Sequence, residues 1–90
     1  MGKVKRPLTS SQIRASRGLL RWSAEDLARE AALGLATIKR AEAADNETSM
    51  TTANDLAVRW ALEAAGVEFI DENGGGPGVR LRKRQQKKKA

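Results

Sequence analysis

Residues 35–40 read LATIKR. Lys39 and Arg40 carry only donors, Thr37 carries a donor and an acceptor, and Leu35 and Ala36 are plain apolar contacts. An arginine fork bonds bidentately to adjacent acceptors such as O6 and N7 of guanine, and a lysine reaches a guanine or a phosphate. Leu35 and Ala36 suit thymine methyl groups, and Thr37 suits a base or a phosphate oxygen. This set has the chemistry to read base-pair edges. Catalysis has no comparable footing. The chain has no His and no Cys, which removes the commonest general base, the commonest metal ligand and any thiolate. Its eleven carboxylates are mostly spaced as surface charges or first-turn helix acids, such as Glu25 and Asp26. The run Gly74–Gly76 lacks the spacing and the Lys-Ser/Thr ending of a phosphate-binding loop. The expectation is a binding protein and not an enzyme, with no metal, no cofactor and no small-molecule ligand.

Helices must position these side chains, and one start signal recurs three times. Thr9 with Gln12 forms a capping box, flanked by Leu8 and Ile13 as a hydrophobic staple. Ser23 caps the next start, with Trp22 and Leu27 as staple. Gly34 is a weaker cap for the third, with Leu33 and Ile38 around it. These signals predict helices over about 10–20, 24–31 and 35–43. A polar loop follows at 44–50, then a fourth helix over about 52–65, with Gly66 as its terminator. That fourth helix carries an apolar stripe at Ala53, Leu56, Ala57, Trp60, Ala61 and Ala64, which predicts that Trp60, like Trp22, lies in the core. Val58, Leu62 and Ala65 make a second stripe that needs a cover, either the C-terminal segment or another subunit. The runs VEFID (67–71) and GVRLR (78–82) around a glycine-rich loop predict a β-hairpin or a single short strand.

The second and third predicted helices, joined by a turn of three to four residues, form a helix-turn-helix pattern. Leu27, Ala28 and Ala31 face inward; Leu33, Ile38 and Ala41 close the angle between the helices. Leu35, Ala36, Thr37, Lys39, Arg40 and Ala43 then remain outward, near the start of the third helix, where a recognition helix enters a major groove.

The net charge is +6, but it is unevenly spread. Residues 1–6 hold Lys3, Lys5 and Arg6, and 73–90 hold seven further cations with no acid. Residues 7–72 carry seven cations against eleven acids. A polyanion partner fits the basic ends. With no signal-peptide pattern and no apolar run of about 20 residues, a cytoplasmic location without membrane contact is expected.

The stretch GLLRWSAEDLAREAALGLATIKRAE resembles helix-turn-helix regulators of the Cro and phage-repressor type, the XRE family. The resemblance covers residues 10–45 and continues into 52–65; in some bacterial members it reaches a segment like VEFIDENGGGPGVRLR. It implies a mainly α, four-helix phage-repressor-like domain with a short C-terminal β element. It also implies a structural ion pair between Arg17 and Glu42. The chain departs from the family pattern at Arg21, Ala24, Ala32 and Gly34, where relatives have Gly, a phosphate-binding Gln, Gly and Ser. Asp45 and Glu47 stand where many relatives carry cations.

The expected organisation is a basic arm (1–7), a helix-turn-helix domain (8–66), a C-terminal β element (67–82) and a basic tail (83–90). Bases are expected to meet Leu35, Ala36, Thr37, Lys39 and Arg40. Phosphates are expected to meet Lys5, Arg6, Arg14, Arg21, Ser23 and Ala24. A homodimer is expected through Val58, Leu62, Val67, Phe69, Val79 and Leu81, because one recognition helix spans too few base pairs for a genomic site. The function expected is sequence-specific binding of double-stranded DNA as a transcriptional regulator, in the repressor sense. The alternatives are an antitoxin-like module with a protein partner, or a non-specific nucleic-acid binder using the basic ends.

Overall fold

The structure, a computed structural model, describes residues 7–71 and 74–82. Four helices come first: α1 (Ser10–Leu20), α2 (Ala24–Ala31), α3 (Leu35–Ala43) and α4 (Thr52–Ala64). Strands β1 (Val67–Ile70) and β2 (Gly78–Leu81) follow as an antiparallel pair. The fold is therefore mainly helical with a C-terminal hairpin, as the sequence predicts. Among the described residues, no helix is long and apolar enough to cross a membrane.

Local chemistry explains where the helices begin. Thr9 Oγ1 accepts from the Gln12 amide at 3.1 Å, and Gln12 Oε1 accepts from the Thr9 amide at 3.0 Å. Ser23 Oγ accepts from the Asp26 amide at 3.0 Å, and Asp26 returns the bond to the Ser23 amide at 2.8 Å. Thr51 caps α4 through the Asn54 amide, while Gly34 offers α3 no side-chain cap. Each box satisfies two amides that the first turn leaves without partners.

Two helix ends are unusual. Arg21 and Ala32 terminate α1 and α2 in the left-handed region, at φ 59° and 58°. The bonds Trp22 N–Arg17 O and Arg21 N–Gly18 O close α1; Leu33 N–Ala28 O and Ala32 N–Arg29 O close α2 in the same pattern. This six-to-one and five-to-two pairing normally ends on glycine. A Cβ in that conformation costs of order 1 kcal/mol.

The core unites all four helices with the first strand. Leu8, Ile13, Leu27, Ile38, Val58, Leu62 and Val67 are essentially fully buried, and Ala28, Ala31 and Ala41 fill the closer approaches. α3 packs on α1 and α2, whereas the hairpin lies against α1 and α4. Gln12 Nε2 donates to the Gly78 carbonyl at 3.1 Å, tying α1 to β2. Ser10 donates its amide to the Asn46 carbonyl and its hydroxyl to the Ala44 carbonyl, which fastens the loop after α3 to the start of α1.

The orientation of α4 corrects the sequence reading. Val58 and Leu62, assigned to the surplus stripe, face the core, together with Asp55 and Arg59. The stripe assigned to the core faces outward: Ala53 and Ala64 are exposed, and Trp60 is 62% exposed. Ala61 alone of that stripe packs against the core, and Trp22 does so while partly exposed. The helix is apolar on two sides, so periodicity cannot choose between them. The choice follows from Asp55, which accepts from the Leu8 amide at 3.0 Å in the interior, and from Arg59, whose guanidinium lies 5.1 Å from the centre of the Phe69 ring. The backbone donor compensates the buried carboxylate, and the ring gives the buried guanidinium a cation–π contact.

The proposed contacts between copies change accordingly. Val58, Leu62 and Val67 are 0% exposed within one chain and so are not a free surface. Phe69 and Val79 pack partly buried on the same core, and Leu81 remains exposed. In the hairpin register Val67 faces Leu81 and Phe69 faces Val79. On the other face, Glu68 and Arg80 pair across the strands at 2.6 Å.

Candidate nucleic-acid interface

The turn between α2 and α3 spans residues 32–34. It holds α3 by one edge, because Ile38, Ala41 and Glu42 are its buried residues. Ala36, Lys39, Arg40 and Ala43 are exposed. These four sit at i, i+3, i+4 and i+7, a single stripe along the helix. Leu35 and Thr37 flank the stripe and are half-buried; Leu35 also packs against the core. Of the five residues expected to meet bases, three stand fully outward and two at the margin.

Lys39 and Arg40 have no ion pair and no side-chain hydrogen bond among the described residues. Both are exposed. The small side chains of Ala36 and Ala43 at either end of the stripe leave them room to meet a partner. The stripe combines two cations and two methyl surfaces without a carboxylate.

The residues expected at phosphates are placed differently from one another. Ser23 is exposed, but its hydroxyl caps α2. Ala24 is half-buried against the core, where it opens the first turn of α2. Arg21 is exposed at the end of α1, in the left-handed conformation. Arg14 is engaged within the chain: it donates to the Glu42 carbonyl at the end of α3, and to Ser11 Oγ at 3.3 Å. Its guanidinium thus meets the partially negative helix C-terminus. Lys5 and Arg6 lie outside the described residues, as does the basic tail 83–90.

The ion pair that the family resemblance implied is present. Arg17 Nε and Nη2 meet the two Glu42 oxygens at 2.6 and 2.7 Å. The third contact of the fork is Nη1 to the Trp22 carbonyl at 2.9 Å. The hydrogen bonds to Glu42 raise the Arg17 pKa above its ordinary value, against the opposing effect of burial. Arg17 therefore braces α3 from behind and is not available at the outer face.

Sequence reasoning missed one neighbouring feature. A shallow groove runs from α3 to the start of α4, lined by Thr37, Arg40, Thr48, Ser49, Thr51 and Asn54 among others. Its lining mixes these polar side chains with the apolar Ala41, Ala44 and Met50. Ser49 sits there at φ 64°. These residues are spread over two helices and a loop, so no local pattern announces them. Asp45 and Glu47 are exposed on the same loop.

No protein-family model matches the chain, and no curated protein matches it.

Proposed function

We propose that this chain binds double-stranded DNA sequence-specifically and regulates transcription, in the sense of a repressor in the bacterial cytoplasm. The observation that carries the reading is the outward stripe Ala36–Lys39–Arg40–Ala43, whose two cations are exposed and unpaired among the described residues. In this reading α3 enters the major groove. Arg40 bonds a guanine edge, Lys39 a guanine or a phosphate, and Ala36 meets a thymine methyl. Arg21 and the hydroxyls of the groove beside Arg40 face the flanking phosphates. The resemblance to the XRE family supports the same docking.

One such helix reads few base pairs, so two copies on a near-palindromic site follow from the specificity that a genome requires. Half-sites would lie about 34 Å apart, or a multiple of that. The test is selection of binding sites from random duplex DNA at stated salt, followed by titration of the selected site. A preferred two-fold symmetric sequence, lost on joint replacement of Lys39 and Arg40 by Ala, is the expected result. Equal affinity for all duplexes, unchanged by that replacement, overturns it.

A further inference from the structure

α4 buries the charged Asp55 and Arg59 yet leaves an apolar arc on its outer side. Its buried residues are Asp55, Val58, Arg59 and Leu62. The opposite arc holds Ala53, Leu56, Ala57, Trp60 and Ala64, of which Ala53, Trp60 and Ala64 are exposed and Leu56 and Ala57 half-buried. A helix apolar on its solvent side needs a cover. We infer that the cover is a second copy of this chain, with the two α4 helices packed antiparallel about a two-fold axis near Leu56 and Ala57.

Two observations favour that occupant, and a third bounds its strength. The first is register. In an antiparallel pair the contacting positions have a constant sum. When Trp60 stands opposite Ala53 of the other copy, Leu56 stands opposite the other copy's Ala57, and the reciprocal pairs follow. Every large residue then meets a small one, which a self-matching interface requires. The second is charge. A chain of net charge +6 repels its copy, yet this arc brings no charged side chain against another. The nearest is Glu63 at its margin, itself 3.9 Å from Arg59 of its own helix.

The third is size. The Trp60 ring, 62% exposed, offers about 150 Å²; with Leu56 and the alanines the arc offers about 300–400 Å² per copy. That is roughly half of the about 800 Å² per partner in a standard stable interface. The contact is therefore weak in free solution and populated only at high protein concentration. It becomes effective when two copies are held close together, as on adjacent half-sites.

The proposal needs no DNA, so its failure and that of the DNA reading are separable. Sedimentation equilibrium of the full chain without DNA, up to about 1 mM, should show a monomer–dimer equilibrium. Trp60→Lys should raise the dimer Kd at least about tenfold, with the circular-dichroism melt confirming the fold. Ala53→Lys, at the facing position, should act alike and serves if the first variant unfolds. Joint replacement of Lys39 and Arg40 by Ala should leave the Kd unchanged. Because the chain has no cysteine, Ala57→Cys supplies a single thiol near the axis, and oxidation should give a disulfide dimer that Ala43→Cys on α3 does not give. A chain monomeric at every concentration overturns the proposal. So does a dimer indifferent to both lysine variants, or equal cross-linking through positions 43 and 57.

Discussion

Arg17 on α1 and Glu42 near the end of α3 meet through two parallel hydrogen bonds, of 2.6 and 2.7 Å. The carboxylate is nearly buried, with side-chain exposures of 24% for Arg17 and 10% for Glu42. Arg14 adds a bond to the Glu42 carbonyl, so two arginines of α1 hold one residue of α3. Arg17→Met should cost about 2–4 kcal/mol, because it leaves a desolvated carboxylate without its partner. The double variant Arg17→Met/Glu42→Leu should be more stable than the single one. Urea denaturation of both singles and the double gives the coupling directly.

Ala32 ends α2 at φ 58°, where a Cβ is unfavourable. Ala32→Gly should stabilise the domain by a few tenths to about 1 kcal/mol, partly offset by the greater freedom of glycine in the unfolded chain. The midpoint of thermal unfolding should rise by about 2–6 °C. Ala28→Gly, four residues earlier in the buried interior of the same helix, should lower it.

Neighbouring residues of α4 should respond against intuition. Arg59 is 3% exposed and lies over Phe69, whereas Trp60 is 62% exposed. Arg59→Ala should cost about 2–4 kcal/mol, by leaving a cavity where its buried stem packs and removing its contact with the Phe69 ring. Trp60→Ala should cost under about 1 kcal/mol in dilute solution. Chemical denaturation at low micromolar concentration compares the two. A larger loss for Trp60 would mean that the orientation of α4 is reversed.

Asp26 should give stability a pH dependence. The bond from the Ser23 amide, then the bond from Arg29 at 2.7 Å, lower its pKa from the ordinary value of 3.8. A carboxylate with a lowered native pKa binds protons more readily when unfolded, so its contribution is complete above the ordinary value. It is lost as pH falls through the lowered native value. The stability gap between the natural chain and Asp26→Ala should thus be constant near neutrality and shrink below about pH 4. Denaturation curves at a series of pH values measure that gap.

Specific and non-specific binding should separate by region. Lys39→Ala and Arg40→Ala should each weaken the selected DNA site by about 1–3 kcal/mol while leaving random duplex nearly unaffected. Deleting 83–90, which removes five cations, should weaken all duplexes alike and flatten the dependence of binding on salt. Titrations of both DNAs at several salt concentrations distinguish these effects. The opposite assignment of effects would favour a non-specific binder.

Much of the fold was legible in the chain itself. Thr9 and Ser23 cap amides three residues onward, and Gly66 ends its helix at φ 110°; such signals are local and survive without tertiary context. The placement of Ile38 and Ala41 inside, with Lys39 and Arg40 outside, also followed from spacing, because α3 has one apolar side. The face of α4 did not, since apolar residues occupy both of its sides. Only packing decided it: Asp55 finds the Leu8 amide 47 positions away, and Arg59 finds the Phe69 ring. Those contacts bury two charged residues at the expense of Trp60. The groove from Thr37 to Asn54 likewise joins residues of α3, the loop and α4. Sequence determines what a few adjacent residues favour among themselves; compensation of buried charge depends on partners that only the folded chain brings within reach.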